Sequence, residues 1–256
     1  MPDAPALPAA FLGAPLAHRA LHGPGRPENS RAAVRAALAA GCGIEIDVQI
    51  SADGRAMVFH DATLDRLTAV SGPVAGRTAE ALGRIALGGG DEGIPTLPEV
   101  LALVAGRAAL LIELKDRTER LAGTDGRLEG AVAAALRDYA GPVAVMAFNP
   151  DMVARMADLA PGVPRGLTTS AFDPDDWSPL PPGTCDRLRG IPDYGRCGAS
   201  FVSHEWTDLA RPRIAGLAAQ GAAILCWTIR SPAEEAAARR IAGNVTFEGY
   251  AARVPT

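Results

Sequence analysis

The 256-residue sequence predicts a (β/α)8, or TIM, barrel of the α/β class, with a β-hairpin excursion after the second strand. Three observations carry that prediction. Short, apolar, β-rich runs recur along the chain. Ala-rich stretches with helical start signals separate most of them. The strand runs are also close to continuously apolar, which is the pattern of parallel strands buried on both faces. Barrels of about 250 residues are routinely single domains, so residues 1–256 are read as one domain.

The strand candidates, in order, are PLAHRA (15–20), IEIDVQI (44–50), ALLIELK (109–115), PVAVMAF (142–148), PRGLTT (164–169), ASFVSH (199–204), AAILCWTI (222–229) and NVTFEG (244–249). Between them lie helical stretches such as SRAAVRAALAA, TLPEVLALVAG, LEGAVAAALRDYA, NPDMVARMADLA and SPAEEAAARRIA. Ser30, Thr96 and Asn149 are placed as N-caps, as is Ser231 with Pro232 behind it. A ninth run, AMVFH (56–60), breaks the alternation, because too few residues separate it from Val48 for a helical crossover. The Asp53-Gly54 dipeptide predicts an antiparallel hairpin there, and centring the turn on it sets Asp47 opposite His60. The Pro- and Asp-rich stretch 172–198 reads as a long loop with one helical turn, shaping substrate access.

Composition narrows the function. A net charge of -4 gives no basic footprint, which argues against nucleic acid as a partner. The first 19 residues lack a basic region, and prolines break their short apolar run, so neither a signal peptide nor a membrane anchor is expected. Cys42, Cys185, Cys197 and Cys226 form no C-x-x-C pair and read as reduced thiols of a cytoplasmic protein, ahead of zinc ligands or disulfides. No feature of the sequence sets an oligomeric state.

The polar residues inside the strand runs are the informative ones. Glu45 and Asp47 are two apart on one strand, so they share a face, and like charges that close need a cation or a proton. Glu113, with Lys115 on the same face, sits near the end of another apolar strand. Three carboxylates at one barrel mouth form a hard, oxygen-rich site suited to one divalent cation, Mg2+ or Ca2+. An ion-pair cluster with Arg19 and Lys115 is the competing reading. His18 and His60 close predicted strands, where a barrel puts its active site. Two histidines beside three acids and an Arg–Lys pair combine acid, base, cation site and phosphate clamp, with Arg19 able to fork onto a phosphate and Lys115 adding a point charge.

AHRALHGPGRPENS resembles the H-R-G…P-E-N-[ST] opening of the glycerophosphodiester phosphodiesterases, and IEIDVQISADGRAMVFHD is similar to their E-x-D-V…D-G…V-x-H-D block. IPTLPEVLALV, IELK and CWTI resemble the family further along, in its order. The resemblance implies a barrel with a hairpin excursion and hydrolysis of a phosphodiester to an alcohol and a phosphomonoester. It implies that Glu45, Asp47 and Glu113 bind one divalent cation and that His18 and His60 are the acid–base pair. Arg19 and Lys115 then bind phosphate, while Glu28 and Asn29 belong to the P-E-N-[ST] element lining the site. Ala20 stands where the family usually has glycine, and NVTFEGY (244–250) lacks the expected Thr-Asp, so no pocket contact is assigned to Phe247, Glu248 or Tyr250.

The activity expected is metal-dependent hydrolysis of a small glycerophosphodiester to an alcohol and glycerol 3-phosphate. The nucleophile is either the neighbouring glycerol hydroxyl, through a cyclic phosphate, or water. Two other readings are a lysophospholipase D-like activity, which wants an apolar rim, and a non-catalytic phosphate-binding barrel, which would have lost a histidine or a carboxylate. Trp227, Phe148 and His204 lie at predicted strand ends and are placed in the substrate pocket. His22 is placed in a solvated loop beside the site, and Asp61 either holds the His60 ring or starts the next turn.

Overall fold

The computed structural model describes residues 5–118 and 120–254. Strand β1 (Leu16–Ala17) leads through a loop to α1 (Arg31–Ala40) and β2 (Gly43–Ile50), which turns back into β3 (Ala56–Val58). An excursion containing α2 (Ala79–Gly83) follows, then α3 (Leu97–Val104) and β4 (Leu110–Leu114). The alternation continues with α4 (Arg127–Leu136), β5 (Val143–Ala147), α5 (Pro150–Leu159), β6 (Arg165–Thr169) and α6 (Pro182–Arg189). It ends with β7 (Phe201–Glu205), α7 (Pro212–Ala219), β8 (Ala223–Ile229), α8 (Pro232–Ala238) and β9 (Asn244–Phe247). All strands but β3 pair in parallel, and β1 pairs with both β2 and β9, which closes an eight-stranded barrel. Strand β3 hangs antiparallel on β2.

The helix starts follow from capping. Ser30 accepts from Ala33, Thr96 forms a capping box with Glu99, Asn149 accepts from Asp151, and Ser231 accepts from Glu234. Each satisfies amide donors that a bare helix end leaves unpaired. The helices bury an apolar stripe on the outside of the barrel, against residues such as Ile44, Ile46, Ile112 and Val202. The opposite strand faces point inward. At the end where the strands begin they supply Leu16, Leu111, Ala144, Phe201 and Leu225, packed beneath Phe11. Asn244 seals that end by donating to the carbonyls of Phe11 and Ala14, at 2.7 and 2.8 Å. Two residues further along, Leu16, Gly43 and Leu111 give way to His18, Glu45 and Glu113, and that end holds the site.

Two expectations are corrected. The hairpin turn has three residues, not two. Ser51 accepts from Gly54, which has φ +78°, and donates its own amide to Arg55. A type I turn closed by a left-handed glycine suits a three-residue loop and moves the register by one. Val48 therefore faces Val58, and Asp47 lies opposite Phe59, not His60, with the Phe59 amide donating to the Asp47 carbonyl at 3.0 Å. Phe59 fills a separate core under the excursion with Met57, Leu64, Leu82 and Ile94. Within 172–198 the chain forms the eight-residue α6, not one helical turn, seated by the buried side chains of Cys185 and Leu188. The four cysteines are free and buried. No helix among the described residues is long and apolar enough to cross a membrane.

Gly166 on β6 faces Phe201 on β7, and a Cβ there would lie 2.4 Å from the buried ring. The ring is part of the inward apolar layer and has little room to move. Gly166→Ala is therefore expected to cost about 1–3 kcal/mol of stability, as overpacking does in a dense core, measured by chemical denaturation.

Candidate active site

Parallel pairing of β2 with β4 sets Asp47 beside Glu113, and the strand period puts Glu45 on the same inward face. The three carboxylates are buried and offer oxygens that all lie within 4.8 Å of one another. At an effective dielectric constant of about 20, two unit charges at that distance repel by roughly 3 kcal/mol. The Lys115 ammonium relieves part of this, bridging Asp47 Oδ1 at 2.7 Å and Glu113 Oε1. Burial pushes the Asp47 carboxyl up, but Lys115, His60 and Arg19 outweigh it and hold the group well below the usual carboxylate range. Burial lowers the Lys115 ammonium, and Asp47 and Glu113 more than reverse that. Glu45 is left in the opposite state: burial, then the charges of Asp47 and Glu113, raise it well above an ordinary glutamate.

Glu45 Oε2 accepts the Arg19 backbone amide at 2.9 Å, whereas the buried Oε1 has no hydrogen-bond partner among the described residues. A buried carboxylate oxygen without a donor, in an all-oxygen set of three, fits a hard divalent cation. Glu45, Asp47 and Glu113 are the residues that would hold it.

The loop after β1 wraps this cluster. Arg19 donates to Glu28 at 2.8 Å and places Nε 3.6 Å from Asp47 Oδ2. Asn29 clamps Asp47 twice, donating from Nδ2 at 2.9 Å and accepting the Asp47 amide at 3.1 Å. Arg19, Ala20 and Asn29 all have φ between +51° and +62°, a region that glycine occupies without strain. Ala20 keeps the conformation its glycine counterpart would favour, so the loop holds its place.

Both strand-end histidines line a cavity of about 170 Å3 above the carboxylates, with Arg19, Lys115, Phe148 and Trp227. Each has its Nδ1 tied to a carboxylate. His18 Nδ1 lies 2.6 Å from Glu248 Oε2, and His60 Nδ1 lies 2.6 Å from Asp61 Oδ1. Each carboxylate is held in turn by an arginine, Glu248 by Arg230 at 2.9 Å and Asp61 by Arg66 at 2.6 Å. The His18 hydrogen bond keeps Glu248 well below the usual carboxylate range; for Asp61, burial is outweighed by the bonds from His60 and Arg66. With Nδ1 committed to a carboxylate, Nε2 is the ring nitrogen left for a group in the cavity.

Most of the residues singled out in the sequence converge here, and His204 does not. It is fully buried on the outer face of β7, where Thr169 Oγ1 and Asp208 Oδ2 bond its two nitrogens at 2.7 and 3.1 Å. Burial lowers its pKa, the mark of a neutral packed imidazole. Phe148 and Trp227, which line the cavity, meet edge to face 5.5 Å apart, and Trp177 from the loop before α6 packs tilted against Phe148 at 4.9 Å. Sequence reasoning missed Glu248. The signal was strand period alone: Thr246 lines the cavity, and two residues on an acid faces the same mouth. Arg66 and Arg230 had no such signal.

The glycerophosphoryl diester phosphodiesterase family profile matches residues 18–246. The YhdW protein of Bacillus subtilis is 29% identical over 225 residues, covering 84% of this chain and 86% of that one. A glycerophosphodiester phosphodiesterase of Caldanaerobacter subterraneus is 32% identical over 159 residues, covering 59% of this chain and 65% of its own length. The matched part thus spans just under two thirds of that relative. Among solved structures, an Oleispira antarctica phosphodiesterase in complex with the product sn-glycerol-3-phosphate superposes with a TM-score of 0.75 at 24% identity, covering 94% of each chain. At that identity the likeness establishes the barrel. The chain belongs to the glycerophosphoryl diester phosphodiesterase family, and the enzyme class it joins is that of the phosphoric diester hydrolases.

Glu45 holds a proton more readily than an ordinary glutamate, and a cation bound to its carboxylate must displace that proton. Affinity for Mg2+ or Ca2+ is therefore expected to rise with pH through the raised Glu45 pKa and then level off. Titration calorimetry in two buffers of different ionisation enthalpy should show proton release at the lower pH values.

Proposed function

We propose that the protein hydrolyses glycerophosphodiesters to an alcohol and glycerol 3-phosphate in a metal-dependent reaction with His18 and His60 as the acid–base pair. The observation that supports this most is the pair of histidines, each fixed through Nδ1 and facing one cavity above three clustered carboxylates. A divalent cation held by Glu45, Asp47 and Glu113 would supply charge neutralisation at a phosphate oxygen and lower the pKa of a hydroxyl. Arg19 and Lys115 face the cavity and bind the phosphate anion. His18 takes the proton from the attacking hydroxyl, and the imidazolium this creates is stabilised by Glu248. His60 gives a proton to the leaving alcohol, with Asp61 keeping the ring turned toward the bond that breaks. When the attacking hydroxyl is the substrate's own, water then opens the cyclic phosphate with the two histidines in exchanged roles; when it is water, the phosphomonoester forms directly. Phe148 and Trp227, with Trp177 packed against Phe148, form an apolar wall that keeps water off one side of the site.

A small substrate fits better than a lysolipid. The large apolar side chains exposed among the described residues are Leu12, Leu159 and Ile241. Leu12 lies under the end of the barrel where the strands begin, and Leu159 and Ile241 lie near the ends of the helices that lead back to it. Among the described residues, the apolar side chains at the mouth are thus the half-buried Phe148 and Trp227, and none of the exposed large ones lies there. The protein is expected to work without a membrane surface, in the cytoplasm. The likeness to a barrel that holds sn-glycerol-3-phosphate supports the same product here.

The test is release of phosphomonoester and alcohol from a panel of glycerophosphodiesters with Mg2+, Ca2+ or EDTA. Turnover should need the cation, disappear in Glu45→Ala, and fall by about 10²–10⁴ in His60→Ala, the usual contribution of a general acid. Turnover that persists in EDTA, or in His60→Ala at the parent rate, would contradict the proposal.

A further inference from the structure

Arg66 lies in the excursion after β3, outside the cavity wall, on a turn anchored where the Thr68 amide and hydroxyl both donate to the carbonyl of buried Leu64. Its guanidinium meets two carboxylates at once. Nε donates to Asp61 Oδ2 at 2.6 Å and Nη2 to Asp61 Oδ1 at 3.1 Å. Nη1 and Nη2 also donate to Glu28 Oε2 and Oε1, at 2.9 and 2.6 Å. Asp61 is the group that orients His60, and Glu28 is the group that holds Arg19. A single chain of charges thus runs Arg19–Glu28–Arg66–Asp61–His60.

We propose that Arg66 is a positioning residue that locks the acid–base histidine and the phosphate-binding arginine into one geometry through this chain. The inference rests on His60 acting in the reaction proposed above. The chemistry of the chain demands a guanidinium. A planar fork with several N–H donors makes paired bonds to both carboxylates from different edges, whereas an ammonium such as that of Lys115 bridges two acids with one bond to each. The Arg66 side chain is 48% exposed, and ion pairs in such a setting contribute little to stability. Its purpose is therefore sought in alignment. Without Arg66, Asp61 loses both bonds to the guanidinium and can rotate away from His60, while Glu28 loses the partner that opposes the pull of Arg19.

Arg66→Gln and Arg66→Lys should keep the parent's melting temperature within a few degrees and its affinity for the divalent cation. The kcat of Arg66→Gln is expected to fall by about 10–100-fold, the scale of a small misplacement of a reacting group, with Arg66→Lys falling between it and the parent. Arg66→Ala should recover part of its kcat on addition of guanidinium ion. The loss in Arg66→Gln combined with Asp61→Asn should be well short of the product of the two single losses, since both act through His60. Parent-like kcat in Arg66→Gln, or losses that simply multiply, would overturn the inference. His60→Ala is assayed alongside. Its retention of activity overturns the reaction itself, whereas its inactivity beside a parent-like Arg66→Gln overturns only the role of Arg66.

Discussion

The structure is organised around three carboxylates that repel one another inside a barrel. Strand pairing holds Glu45, Asp47 and Glu113 within 4.8 Å, and the surrounding elements supply the compensating charge. Lys115 directly follows the strand that carries Glu113, and its amide donates to the Val48 carbonyl of β2, so the cation nearest the cluster is fixed by the pairing that brings the anions together. Arg19 arrives on a loop whose left-handed residues let it fold back over β2. Asn29 secures Asp47, and Glu45 keeps one oxygen without a partner. The compensation is incomplete, and the remaining positive charge can come from a proton on Glu45 or from a cation in its place.

The apolar half of the barrel makes this tolerable. The inward layer of Leu16, Leu111, Ala144, Phe201 and Leu225 fills the end where the strands begin, so the ionic layer rests on a dense floor. Water reaches the carboxylates only from the mouth, where the histidines stand. Their placement repeats one arrangement twice: ring, carboxylate, arginine. His18 takes its carboxylate from the end of β9 and His60 from the residue next to it, so two unrelated stretches of chain arrive at the same orientation.

What was legible in the sequence follows from which signals are local. Strand period alone put Glu45 and Asp47 on one face, because a one-residue error would have sent both to the outer, apolar side. Caps at Ser30, Thr96, Asn149 and Ser231 were legible because the cap is a contact over three residues or fewer. The hairpin register was not, since Asp53-Gly54 fits a two-residue turn or the last part of a three-residue one, and the buried pair Met57 and Phe59 decided between them. Helix α6 was hidden because prolines surround it and only two of its residues are buried. His204 closes a strand as His18 does, but its position in the alternation sends it outward to Thr169 and Asp208. Glu248 carried only the strand-period signal and Arg66 and Arg230 none, because their partners lie between 5 and 230 residues away.

The central claim is that the three acids form a cation site, not a self-contained ion-pair cluster. Diffraction from a crystal soaked in Mn2+, with data collected at the manganese absorption edge, tests it most directly. The account predicts one strong anomalous peak in contact with carboxylate oxygens of Glu45, Asp47 and Glu113. An ordered cluster with Lys115 still bridging Asp47 and Glu113 and no peak beside Glu45 would contradict it.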